Sequence, residues 1–243
     1  MKKFLIATIL LMTLFIGNTS AEKVIPHPES YDPASEGAAF YPANGNHPDS
    51  IYYKQFDFYD MESTDSRIIL THYPTYQQMT EYSCGPACAL TVLYYYDNRD
   101  YDEQKLVKLM KTKPLIGTSP GNMIKFFQSI GWKVKSSLNT PPFKEVEDFQ
   151  KFVIRNLSQG KPIMVENVEF GGHWRVIIGI DTMGTEDNAS DDVLIMVDPF
   201  DVSDHSQDGY AINNMDRFFS MWFDHNMLPK SERNQPWIIA TPN

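Results

Sequence analysis

Three residue types that together make a nucleophilic centre occur in order along this chain: a thiol at Cys84, an imidazole at His173 and a carboxylate at Asp198. A thiol near its ordinary pKa is mostly protonated at neutral pH, so it needs a base or a positive field before it attacks. An imidazole supplies both, and a carboxylate behind it holds the ring in one orientation and tautomer. Cys84 lies in Gln78-Met79-Thr80-Glu81-Tyr82-Ser83-Cys84-Gly85-Pro86-Ala87, directly before an apolar run. A helix starting there would aim its N–H dipoles at the thiol and favour the thiolate. The side-chain amide of Gln78, or of its neighbour Gln77, is suited to hold a developing oxyanion beside the Cys84 N–H. Gly171 and Gly172 let the backbone come close at His173, and Trp174 is expected to shelter the pair from water. This chemistry requires no cofactor.

Each residue also has a plainer use. A histidine is often a core or turn residue, and His72 and His205 offer imidazoles with polar neighbours. Asp198 before Pro199 is a turn initiator. Cys84, Cys88, His173 and His205 can be written as a zinc set, although a Cys-x-x-x-Cys pair on one helix is a weak signature. Cys88 reads as a small buried apolar residue. On one helix the two cysteine β-carbons stand roughly 5–6 Å apart, whereas a disulfide wants roughly 3.5–4.5 Å, so these two should stay unpaired.

The elements that must position these groups follow from periodicity and punctuation. Arg67 to His72 reads as a short strand before Pro74. Cys84 to Tyr96 carries Ala87, Leu90, Thr91 and Tyr94 at helical spacing, with Ser83 as N-cap and Pro86 in the permitted first turn. Further helices are expected over Asp102–Lys111, Ser119 to about Ile130, and Phe143–Leu157. The period then changes: Ile163–Val168, Trp174–Asp181 and Val193–Asp198 read as antiparallel strands, Phe218–Phe223 as a short helix and Trp237–Ala240 as a last strand. Helices followed by a sheet make an α+β domain.

Lys2 and Lys3, the apolar run to Ile16 and the small residues ending at Ala21 form a secretory leader by pattern, too short for a comfortable span. The expected division is a signal peptide at 1–21, an irregular extension at 22–65 whose tyrosines and phenylalanines pack on the domain surface, and one catalytic domain at 66–243. The mature chain is then secreted or periplasmic, with no stable membrane insertion. The formal charge is −10, or −12 once Lys2 and Lys3 are gone. With no basic block, nucleic acid is excluded as a partner. The acidic residues Asp187, Asp191, Asp192, Asp201, Asp204 and Asp208 read as solvated loop charges.

Gln78-x5-Cys84-Gly85-Pro86-Ala87, the helix ending in Tyr94-Tyr95-Tyr96, Gly172-His173-Trp174 and Asp198-Pro199 resemble the bacteriocin-processing, or double-glycine, cysteine peptidases of the papain clan. The resemblance covers roughly Arg67 to Ala240. It implies a papain-like cysteine peptidase fold, with a helical N-terminal part packed against an antiparallel sheet and the active-site cleft between them. It also implies hydrolysis of peptide or protein substrates through a thioacyl-enzyme, with Cys84 as nucleophile, His173 as base and acid, Asp198 as orienter and Gln78 in the oxyanion hole. The six-residue spacing it carries favours Gln78 over Gln77. Transporter-linked members continue into membrane and nucleotide-binding domains, and this chain shows no second hydrophobic run and no Gly-x-x-x-x-Gly-Lys loop, so a free-standing exported relative is expected. Two other readings fit parts of the same pattern: a thiol transpeptidase or acyltransferase resembling phytochelatin synthase, and a catalytically inactive secreted binding module.

Overall fold

The computed structural model describes residues 22–31, 37–38, 46–185 and 187–243. The expected leader at 1–21, together with Phe40 and Tyr41 of the extension, lies outside the described residues. The sheet is antiparallel in every pairing, with strand order β2-β7-β3-β4-β5-β6. The strands are β1 (Arg67–Ile69), β2 (Lys133–Ser136), β3 (Ile163–Asn167), β4 (His173–Asp181), β5 (Val193–Val197), β6 (Tyr210–Asn214) and β7 (Trp237–Thr241). β1 lies off this path: it pairs with the last three residues of β4, beyond the stretch occupied by β3. Early strands therefore join the sheet, and the chain is not simply helices first and sheet second.

β3 and β4 are buried along almost their whole length, which is why they appear as apolar runs without alternation. Their buried polar residues gather at one end, where Glu166 and Asn167 face Trp174 and His173 in register. The helices are α1 (Cys84–Tyr95), α2 (Glu103–Leu109), α3 (Pro120–Ser129), α4 (Val146–Leu157) and α5 (Met215–Ser220). α1 lies across β4 and against α2, and every residue from Cys84 to Leu93 is buried. It is a core helix with no wet face rather than an amphipathic surface helix.

Four expectations need correction. Ser83 occupies the N-cap position of α1 but makes no side-chain cap bond; its hydroxyl is engaged by the turn at Thr80, accepting from the Thr80 N–H and hydroxyl. β2 and β6 lie outside the expected strands: β2 is polar, β6 is a short mixed run ending in two asparagines, and each takes its strand form from register with β7 or β5. The short helix expected over 218–223 is α5, three residues earlier, where Asn214 Oδ1 accepts from the Arg217 N–H and fixes the start. Two of the loop aspartates are not solvated: Asp192 takes the Gln150 amide and Asp201 takes the Gly209 N–H, both fully buried.

The extension is stitched to the segment that precedes α1. Val24 bridges Thr75, the Ile25 N–H donates to the Thr75 carbonyl, and Tyr31 donates to the Met79 carbonyl. Phe58 and Tyr59 join the core. Among the described residues no helix is long and apolar enough to cross a membrane.

Candidate active site

The fold brings Cys84, His173, Asp198 and Gln78 to one place. Cys84 is the first residue of α1 and His173 the first of β4, so the contact of that helix with that strand sets the thiol against the imidazole. Asp198 follows β5, the neighbour of β4. Its Oδ1 lies 2.7 Å from His173 Nε2, which leaves Nδ1 as the ring nitrogen available to the Cys84 thiol on the wall of the same cavity.

Asp198 is held as an anion. Burial would raise its pKa, but Arg175, at 2.7 Å through Nε, and His173 outweigh that cost and keep the carboxyl well below the usual carboxylate range. The Phe200 and Asp201 N–H groups also donate to Oδ1. Burial alone would lower the His173 pKa; the charge and hydrogen bonds of Asp198 and Cys84 overcome it and push the ring up to about 9. The imidazolium is therefore the resting form at neutral pH.

Arg175 escaped the sequence reading. It stands two residues beyond His173 on the same strand and hence on the same face, reaching Asp198 on one side and forming an ion pair with Glu169 on the other. Period-two spacing from the histidine was the signal that would have found it. The same alternation turns Trp174 away from the His173 ring, although it lines a cavity together with Cys84. That side chain points to the opposite face and ties β4 to the loop before α3, its indole N–H donating to the Thr118 carbonyl at 2.9 Å. The rings against His173 are Phe170 and Phe200.

Gln78 is buried beside Cys84 and His173 on the wall of one cavity. Its Nε2 donates to the Thr80 carbonyl at 2.7 Å; an amide nitrogen has two protons, so one remains for another acceptor. Three contacts fix this segment. The Gln78 N–H donates to Pro199, next to Asp198; the Gln78 carbonyl accepts from Ala38 of the extension; and the Met79 N–H is chelated by both oxygens of Glu103 at 3.0 Å. Gln77 points away, to the Gln207 carbonyl.

Cys84 is buried rather than exposed as a helix entry would suggest, at 5% of its free surface. It is reached through two cavities that share Glu81, Cys84, Phe170 and Gly172, one continuing to Gln78 and His173 and the other to Trp174 and Glu166. Gly172 has φ +149°, and a Cβ there would fall 2.9 Å from Glu166 Oε1, so this bend at the cleft admits only glycine. Cys84 and Cys88 are both free. The other imidazoles lie elsewhere: His72 pairs with Asp60, and His205 with Ser50 of the extension. Among the described residues no three His, Cys, Asp or Glu side chains are grouped to hold a metal ion, so the zinc set does not assemble.

A buried thiol at a helix start, faced by an imidazolium that an anion orients, is the arrangement of a cysteine nucleophile for acyl transfer. Residues 70–222 match the model of the Peptidase_C39 like family. The chain belongs to that family. The match contains all four candidate residues, and it makes the α+β chain a cysteine peptidase by kinship. Among solved structures, the chain is similar to the peptidase domain of Streptococcus ComA, a bi-functional ABC transporter involved in a quorum sensing pathway, at 20% identity and a TM-score of 0.47, over 71% of this chain and all of that one. It is also similar to a double glycine motif protease from an AMS/PCAT transporter in complex with the leader peptide, at 17% identity and a TM-score of 0.44, over 74% of this chain and 97% of that one. No curated protein matches it.

Proposed function

We propose that this chain is an exported cysteine peptidase that hydrolyses peptide amide bonds, with Cys84, His173, Asp198 and Gln78 as its working residues. The observation that carries the reading is the buried Cys84 thiol sharing one cavity wall with the His173 ring, which the Asp198 carboxylate holds at 2.7 Å. In the first half-reaction the Cys84 sulfur attacks the substrate carbonyl carbon. The oxyanion takes the Cys84 N–H and the remaining Gln78 amide proton. His173 then delivers its Nδ1 proton to the amine nitrogen, the C–N bond breaks, and a thioacyl-enzyme is left. In the second half-reaction His173 removes a proton from water, the hydroxide adds to the thioester, and the Cys84 thiolate departs with the acid as product. Asp198 keeps its charge throughout, which Arg175 secures. Export rests on the pattern of residues 1–21, and the peptide substrate on membership of the family.

Brief treatment with a dilute papain-class epoxide, followed by intact mass and peptide mapping, tests the reading. A single adduct at Cys84 is expected, lost in His173→Ala. Cys84→Ala should lower turnover by about 10⁴-fold or more without lowering the unfolding midpoint much. Equal turnover in the wild type and Cys84→Ala would sink the mechanism.

A further inference from the structure

The wall of the cleft away from His173 holds a second acidic centre that the reaction above does not use. Glu166, near the end of β3, and Asp224, after α5, bury their carboxyls against one another, with residue exposures of 2% and 5%. Glu166 Oε2 and Asp224 Oδ2 have no donor among the described residues. Glu166 Oε1 and Asp224 Oδ2 flank one point beside Gly172, 2.9 and 3.1 Å from where a Cβ would stand, and two carboxylates can only accept, so a proton or a cation must relieve the pair. Asp224 Oδ1 is already used by the Leu228 N–H, and Arg233 stands 3.9 Å behind it with its own Nε donated to the Leu228 carbonyl. That arginine offsets part of the charge on Asp224 without reaching Oδ2 or Glu166.

The pair opens on a cavity of about 140 Å³ that also contains Cys84. Among the described residues the lining of this cavity includes a third acid, Glu81, and no lysine, arginine or histidine; the rest is mainly apolar, with Leu115, Trp174 and Met227 on its walls. Apolar walls leading to two unpaired carboxyls match a side chain with an alkyl stem and a cationic end. Gly172 sustains the arrangement, because a Cβ there would enter the space between Glu166 Oε1 and Asp224 Oδ2, at 2.9 and 3.1 Å.

We infer that Glu166 and Asp224 form the base of a substrate-side-chain subsite that selects lysine or arginine close to the scissile bond. This assignment rests on the peptidase reading, and in the empty subsite Glu166 keeps a proton that an incoming ammonium or guanidinium displaces to solvent. Neither carboxyl touches the reacting atoms; they act on which peptide is held.

The test compares two dipeptidyl epoxides that differ only in carrying lysine or norleucine, with the rate of Cys84 alkylation followed by intact mass. Lysine should react about tenfold faster than norleucine in the wild type, as expected for a charge-assisted contact, and the ratio should fall toward one in Glu166→Gln and in Asp224→Asn. Because the readout is a ratio within each variant, a purely structural loss leaves it unchanged, and either variant suffices if the other fails to fold. Equal rates in the wild type, or the wild-type ratio kept in every folded variant, would overturn the subsite while leaving the peptidase reading intact. If neither epoxide nor iodoacetamide alkylates Cys84 in folded protein, the peptidase reading fails and the subsite falls with it.

Discussion

Asp198 and Glu166 are both buried carboxyls in the neighbourhood of Cys84, and they are driven in opposite directions. Asp198 is held well below the ordinary carboxylate range, whereas burial first, and then the charges of Asp224 and Cys84, push Glu166 up to about 9. Burial opposes the anion at both sites, so burial does not decide. The neighbours do: Asp198 has Arg175, His173 and two backbone N–H groups, whereas Glu166 faces a second carboxyl. One side of the cysteine is a permanent charge built into the protein, and the other a charge that waits for a counter-ion.

The largest effect should come from the permanent charge. Asp198→Asn keeps the shape but leaves Arg175 and the His173 imidazolium without their anion. Turnover should drop by about 10⁴-fold, and unfolding free energy by about 3–5 kcal/mol, the cost of breaking a buried ionic set from one side. Urea titration and a turnover assay read the two losses; retention of both would mean that Asp198 is a turn residue only.

Glu166 sharpens the contrast through pH. A carboxyl whose pKa is raised on folding contributes stability that is fully present below its unfolded value, near 4.5, and is lost as pH climbs through about 9. Glu166→Gln removes that loss, so the variant should gain on the wild type as pH rises from 5 to 9, reaching an advantage of about 1–3 kcal/mol. His173 also loses stability upward through about 9, but it does so in both proteins and cancels from the difference. A stability gap that stays flat between pH 5 and 9 would show that Glu166 is not held protonated in the fold.

The smallest effect belongs to Cys88, one turn along α1 and fully buried, where burial and then Cys84 push its thiol well above the ordinary range. Cys88→Ala should spare turnover and cost about 1 kcal/mol of stability. Loss of turnover in a folded Cys88→Ala protein would mean that the helix start, and not Cys84 alone, is tuned by this position.

The candidate site was legible because it uses residue types that stand out against their surroundings: a cysteine before Gly85-Pro86, a histidine after two glycines, an aspartate at a strand end. The strands and helices carrying them were legible for the same reason, since β3, β4, β5 and α1 are dense apolar runs. Arg175 was within reach of a period-two argument. Glu166 and Asp224 were not, since a glutamate inside Met164-Val165-Glu166-Asn167 and an aspartate in Trp222-Phe223-Asp224 resemble the polar punctuation of any strand end or loop. Their meaning comes from β3 and a segment nearly sixty residues later being brought face to face. β2 and β6 were illegible on the same grounds, because Lys133–Ser136 and Tyr210–Asn214 owe their conformation to the strand beside them.

The burial of α1 on all sides ties chemistry to folding. Cys84 cannot shift relative to His173 unless the other buried residues up to Leu93 shift with it. The protein therefore has no loose catalytic arm, and loss of core packing and separation of sulfur from imidazole are one event. Alkylation of Cys84 by a dilute epoxide faster than that of an unfolded thiol is accordingly a chemical stamp of nativeness, carried by each molecule that has completed its core.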